Sequence, residues 1–411
     1  MRLRDDCDRI VAQSILQVQP RQAVSRALAD RAFSGGQLLV VAVGKAAWAM
    51  ADAAFDQLGH QITGGIVITK YDHSQGAIGS FEIWEAGHPV PDENTFKATR
   101  RVLELTGDLT EKDTVLFLLS GGGSALFEAP LIPETELLQL TKDLLACGAD
   151  IVEMNTLRKR MSGVKGGRFA QHCAPARVFS IVLSDIIGDP LDMIASGPAY
   201  PDSSTAQDAK QVVEKYRLSL SEKALALLDQ ETPKSLDNVE TVITGSVREL
   251  CEAAAAVCRS LGYETTVLTD CLTCQARDAG AFLAAIAQYH QSGDKSLAFL
   301  AGGETVVTLT GKGLGGRNQE IALGAAALLN GLQETAVFSF GSDGTDGPTD
   351  AAGGFVTDST YQQLQERGID PFEVLRNNDA YHALNACGGL IMTGPTGTNV
   401  NDVACVLIRR Q

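Results

Sequence analysis

Several things are missing from this 411-residue sequence, and each absence removes a class of protein. No apolar run is long enough to span a bilayer. Positive charge is scarce: the formal net charge is -16, which speaks against a general nucleic-acid binder and against attraction to anionic membranes. The nine cysteines are odd in number and irregular in spacing. Cys271 and Cys274 make one C-x-x-C, but no second pair stands at metal spacing, so a zinc site is not expected; reduced thiols and a cytoplasmic location are. Two nucleotide signatures are also absent. Gly311-Lys312 has no upstream glycine to make a P-loop. The turn Gly44-Lys45-Ala46 is not G-x-G-x-x-G, and the next strand ends in Lys70 where a dinucleotide site wants an acid. There is no internal repeat and no low-complexity tract.

What is present reads as a globular α/β chain, with 45% hydrophobic and 20% charged residues. The opening "MRLRDDCDRIVAQSIL" carries acidic residues among periodic apolar ones, so it reads as an amphipathic helix and not as a signal peptide. Apolar strands then alternate with helical stretches: 37–43, 64–70, 81–87, 114–120 and 177–185. Near-continuous apolar strands separated by helices mean a parallel sheet covered on both faces, with ligands at the carboxyl ends of the strands. The polar stretch 229–240 reads as a linker. After it the pattern restarts with strands at 241–246 and 265–270, and 296–311 reads as two strands joined at Gly302-Gly303. A strand in the last residues closes the chain. The expected division is a first domain over 1–235 and a second, smaller α/β domain over 240–411.

Four stretches carry chemistry. "LLSGGGSALF" sets Ser120, Gly121, Gly122, Gly123 and Ser124 between a strand and a helix, where backbone N–H groups can approach an anion; a plain tight turn is the alternative. The stretch 153–177 is the most basic part of an acidic protein. Its Asn155, Arg158, Lys159, Arg160, Lys165 and Arg168 suit carboxylate or phosphate, or else form a solvated helix face. "GKGLGGRNQE" places Arg317 and Asn318 at a helix start, to clamp an anion or to cap the helix. "GSDGTDGPTDAAGG" sets Asp343 and Asp346 in a glycine loop, as a seat for a divalent cation or as Asx-turns. These residues describe an α/β enzyme that handles small anions with a metal.

The same motifs, together with "AVGKAAWAMA", "AGHPVPDENT", "LSDIIGDPLDMIASGPAYPD" and "TGTNVND", resemble the class II glycerate 2-kinases over nearly the whole chain. The resemblance implies a Rossmann-like first domain, a smaller second one, and an active site in the cleft between them. It implies ATP-dependent phosphorylation of D-glycerate at its 2-hydroxyl, with Mg²⁺. Lys45 and Arg317 would neutralise charge on the transferred group, and Asp185 or Asp189 would orient or deprotonate the hydroxyl. His88 would line the acceptor pocket or support Pro89. The family pattern leads one to expect histidine where this chain has Arg160. The expected partners are D-glycerate and ATP, with neither nucleic acid nor membrane, and a homodimer is left open. The competing reading is an NAD(P)H-dependent hydroxypyruvate reductase, a label that relatives also carry.

Overall fold

The computed structural model describes residues 2–33 and 35–410. It divides into two compact units, one made of residues 23–184 and 189–244, the other of 1–22, 185–188 and 245–411.

The first unit is built on a six-stranded sheet. Its strands are β1 (Leu38–Val43), β2 (Ile62–Lys70), β3 (Glu82–Ala86), β4 (Thr114–Leu119), β5 (Arg177–Leu183) and β6 (Val239–Gly245). The order is β3-β2-β1-β4-β5-β6, and the pairings from β3 through β5 are parallel. β1 is buried along its whole length, as its unbroken aliphatic run requires of a strand covered on both faces. The order reverses direction between β1 and β4, which is where an open α/β sheet leaves a crevice for ligands.

The second unit carries β7 (Glu264–Leu272), β8 (Leu297–Gly303), β9 (Thr335–Gly341), β10 (Gly353–Thr357), β11 (Leu390–Ile391) and β12 (Asp402–Ile408). Their order is β11-β10-β9-β12-β8-β7, and the sheet is mixed: only β7 and β8 pair in parallel. Alternation along β12 sorts its side chains. Val403, Cys405 and Leu407 enter one core cluster, while Ala404, Val406 and Ile408 enter the other.

Three expectations from the sequence change here. The polar stretch around 229–240 is not a linker between units, because β6 adds to the first sheet. Its residues are pinned within the first unit: the Thr232 hydroxyl donates to Asp202 at 2.6 Å, and the Asn238 amide donates to the carbonyls of Ala170 and Ala176. The N-terminal helix Arg2–Gln17 groups with the second unit, not the first. Its Cys7, Ile10, Val11 and Ile15 pack with Leu250, Phe338 and Val403, and Arg4 donates to the carbonyls of Gly388 and Leu390. The second strand expected in 296–311 does not form. Residues 304–316 run as a loop stapled by Asn378, whose side-chain oxygen accepts from the N–H groups of Thr310 and Gly311 at 2.8 and 2.9 Å.

Candidate functional site

In the first unit, the ends of β1 and β4 touch through glycine. Gly44 has φ +123°, and a Cβ there would fall 2.2 Å from the Ser120 hydroxyl oxygen. With no side chain in the way, Ser120 N–H donates to Val43 O at 2.9 Å, Lys45 N–H to Gly121 O at 2.9 Å, and Ala46 N–H to Ser120 Oγ at 3.1 Å. Lys45 is thereby fixed beside the glycine turn. The turn leads into a one-turn helix, Gly123–Leu126, whose N-cap is Gly122 at φ +87° with no side chain capping it. The backbone N–H groups at this turn are therefore not occupied by a capping side chain. A Cβ on Gly122 would lie 3.1 Å from the His88 ring and 3.2 Å from Lys45 Cγ, so both side chains border the turn. Burial, then the charges of Lys45, Lys70 and His73, push the His88 pKa below its usual value and favour the neutral ring at pH 7.

Behind the turn the polar groups interlock. The Ser124 and Ser196 hydroxyls are 3.0 Å apart, and Ser196 donates to Asn155 Oδ1 at 2.8 Å. Ala195 and Ser196 both take positive φ, 51° and 61°, a conformation that costs side-chain-bearing residues energy and is retained where the surroundings fix it. Arg158 donates to Ser124 O at 2.8 Å. Several residues of the basic stretch are buried and engaged by other protein groups. Lys165 is fully buried against Phe127 O and Glu128. Asn155 is 1% exposed and is engaged by Ser196. Lys159 is fully buried between Asp192 and Asp202. Arg160, where the family resemblance leads one to expect histidine, is fully buried and donates to the carbonyls of Gln230 and Ser204. Asp185 belongs to the four-residue stretch that groups with the second unit, whereas Asp189 belongs to the first. Asp189 has φ 50° and a buried Oδ1 with no hydrogen-bond partner among the described residues.

In the second unit, Arg317 opens the helix Arg317–Leu329. Its Nε donates to Asp402 at 2.5 Å and one terminal nitrogen to Glu304 at 2.7 Å. Burial works against the Arg317 charge, but the hydrogen bond and charge of Asp402, with Glu304, hold its pKa above the ordinary arginine value. Sequence reading missed both carboxylates. The available signal was their place at strand ends, Glu304 directly after Gly302-Gly303 and Asp402 at the start of β12. Arg317 and Glu304 border a cavity of about 980 Å³ that Asp343, Lys312, Val306 and Leu309 also line.

The two aspartates of the glycine loop differ. Asp346 is 2% exposed, and its oxygens accept from Asn318 N–H at 3.1 Å and Gln319 N–H at 2.8 Å, so the carboxylate caps the helix. Asn318 faces inward too: its side chain also contacts Asp346, and it accepts from Ser339. Asp343 is half-buried and forms an Asx-turn, Oδ1 accepting from Thr345 N–H at 3.0 Å. Among the described residues no group of three His, Cys, Asp or Glu side chains is placed to hold a metal ion. Each oxygen of the Asp346 carboxylate already accepts a backbone N–H group. Asp343 lines the cavity beside Arg317, and Mg²⁺ commonly binds through one or two carboxylates together with phosphate oxygens.

Residues 6–229 match a family described as a domain of unknown function (DUF4147), and residues 297–402 match the MOFRL family. The D-glycerate 2-kinase of Thermotoga maritima is 53% identical over 97% of this chain and 97% of its own. A crystal structure of glycerate kinase from the same organism shares the fold with a TM-score of 0.95 at 52% identity, covering 99% of each chain. The chain belongs to the class II glycerate 2-kinase family. A relative in Agrobacterium vitis, 38% identical over 97% of this chain and 93% of its own, carries the name hydroxypyruvate reductase. In this glycerate 2-kinase family member, the α/β fold with a parallel Rossmann-like sheet and a second, mixed sheet agrees with the sequence reading of fold class.

Proposed function

We propose that this chain transfers the γ-phosphoryl group of ATP to the 2-hydroxyl of D-glycerate, giving 2-phosphoglycerate and ADP. One observation carries the reading: 53% identity to a D-glycerate 2-kinase along 97% of both chains. The reaction assigns a role to each of the residues singled out above. In this reading the N–H groups of Gly121 to Gly123 receive an anionic oxygen, and Lys45 and Arg317 neutralise charge on the group in flight. The 2-hydroxyl oxygen forms a bond to γ-phosphorus as the bond to the β,γ-bridging oxygen breaks. The hydroxyl proton passes to Asp185 or Asp189. The buried, unpartnered Oδ1 of Asp189 favours Asp189 for that task. His88, held neutral, would border the acceptor without adding a charge. Mg²⁺ would be held by Asp343 and phosphate oxygens, and would supply charge neutralisation when bound. We place the enzyme in the cytoplasm: the nine cysteines are all free thiols, and no described helix is long and apolar enough to cross a membrane.

The test is incubation with ATP, Mg²⁺ and D-glycerate, with the product read by NMR. Phosphate on carbon 2 is expected; phosphate on carbon 3, or no transfer, overturns the reading. The reductase name of the Agrobacterium relative supplies the second reading. It is disfavoured because the turn after β1 holds Gly44-Lys45-Ala46 and closes onto Ser120, where a dinucleotide fold opens a glycine turn to a pyrophosphate. Protein-dependent oxidation of NADH or NADPH by hydroxypyruvate would favour the reductase instead.

A further inference from the structure

We propose that the half-buried Arg158 and the fully buried Lys165 and Glu128 form a clamp that sets the orientation of the Gly121–Gly123 turn, with Arg158 and Lys165 as positioning residues and not ligands of substrate. The kinetic consequences rest on the phosphoryl-transfer reading above; the structural ones rest on geometry alone.

The helix after the turn is only four residues long, Gly123–Leu126. Carbonyls at a helix end have no partner inside the helix and carry partial negative charge. Two cations meet carbonyls here. Arg158 reaches Ser124 O at 2.8 Å, and Lys165 reaches Phe127 O at 2.6 Å. Both are delivered from outside the helix, Arg158 by the helix Ile151–Arg160 and Lys165 by the turn before the helix Arg168–Cys173. Glu128 balances them. It is fully buried, and its Oε2 lies 3.1 Å from Lys165 Nζ. Neither carboxylate oxygen of Glu128 accepts a well-aligned hydrogen bond from a described residue. Its charge is therefore compensated by Lys165 and by the nearby Arg158 guanidinium.

A buried ion pair contributes little net stability compared with apolar packing; the role proposed for this one is to fix the geometry of what it touches. A second set of contacts comes from Ala195 and Ser196. A Cβ on Gly123 would come within 2.7 Å of Ala195 Cβ, and Ser196 holds the Ser124 hydroxyl. Held by both sets of contacts, the turn presents its N–H groups in one direction. Lys165, fully buried, does not reach a ligand without opening this arrangement.

The experiment combines amide hydrogen exchange, ligand binding and kinetics on the full chain. Arg158→Ala is expected to raise exchange at Ala125, Leu126 and Phe127 about tenfold or more. The same variant should lower kcat on the order of 10²-fold, as small misplacements of a reacting group do. Its Kd for D-glycerate should change by less than about threefold, and Arg158→Lys should recover part of kcat. Lys165→Met alone leaves Glu128 unpaired and should lower Tm. The double variant Lys165→Met/Glu128→Gln should restore Tm while exchange at Phe127 stays fast and kcat stays low. Unchanged exchange in Arg158→Ala overturns the clamp. So does a Kd for D-glycerate that rises in step with the loss of kcat/KM, because Arg158 would then be a ligand. If the parent chain phosphorylates nothing while Arg158→Ala still loosens the turn, the functional reading fails and the clamp stands.

Discussion

The two units each send a strand into a glycine-rich stretch and then a helix, and they complete that pattern differently. After β4, the turn Gly121–Gly123 enters a one-turn helix with no side chain capping it. Before the helix Arg317–Leu329, the run Gly311 to Gly316 ends at a helix start already filled by the Asp346 carboxylate. The same local composition leaves N–H groups for an outside anion in one unit and supplies an internal carboxyl group in the other. Glycine lets the backbone make such a turn; it does not decide whether the donors are left for a ligand.

The cations differ in the same way. Lys45 is half-buried and enters no ion pair among the described residues. Arg317 is held by Asp402 and Glu304. Lys45→Ala should therefore lower kcat roughly 10³-fold or more while Tm stays near the parent value. Arg317→Ala should lower kcat as steeply, and should also lower stability by about 2 kcal/mol because the buried Asp402 loses its hydrogen-bonded partner. Steady-state kinetics and thermal melts on the two variants check both statements. Equal Tm values would break the contrast. From sequence alone, Arg317 reads as a charge facing water whose loss leaves Tm unchanged, and the two carboxylates are the reason to expect otherwise.

The strands of the first sheet were legible because they are long, aliphatic and punctuated by glycine. Strands expected at 37–43 and 114–120 form as Leu38–Val43 and Thr114–Leu119. The stretch "TVVTLTG" misleads because its alternation looks like a strand, yet the N–H groups of Thr310 and Gly311 are taken by Asn378 from 67 or 68 positions away, and that of Thr308 by the Gln275 side chain. Unit membership of the N-terminal helix was unreadable for a similar reason. Amphipathicity predicts that Ile10 and Val11 are buried, but not against which sheet. The basic stretch 153–177 was read for its charge. The partners of its side chains, Asp202, Glu128 and the carbonyls of Gln230 and Ser204, lie 37 to 70 positions from them in sequence. Pairings at that distance leave no local signal.

A smaller effect separates the two aspartates of the loop. Asp343→Asn should raise the Mg²⁺ concentration for half-maximal rate about tenfold, with excess Mg²⁺ restoring turnover. Asp346→Asn should leave that titration unchanged, since its oxygens serve Asn318 and Gln319. A Mg²⁺ titration displaced equally in both variants would mean that Asp346 gives up its cap to bind the cation.

The smallest effect concerns pH. Burial, opposed by the N–H groups of Gln319 and Asn318, pushes the Asp346 carboxyl from 3.8 up to about 7. A raised carboxyl pKa means that the folded chain holds a proton which the unfolded chain has released. The stability tied to that proton is fully present below about pH 4 and is lost as pH rises toward 7. Asparagine cannot ionise, and it caps helices about as well as aspartate. Asp346→Asn should therefore match the parent near pH 4 and gain on it as pH rises. Between pH 6 and 7 alone the gap should widen by less than about 1.4 kcal/mol, the ceiling for one proton over one pH unit. Other carboxylates tilt both curves alike, so the measurement is the difference in denaturation free energy between variant and parent at each pH. A difference that stays flat from pH 4 to 7 would show that Asp346 caps its helix as an ordinary ionised carboxylate. The second glycine turn would then carry a permanent internal anion, and the contrast with the uncapped turn of the first unit would be sharper than the one drawn above.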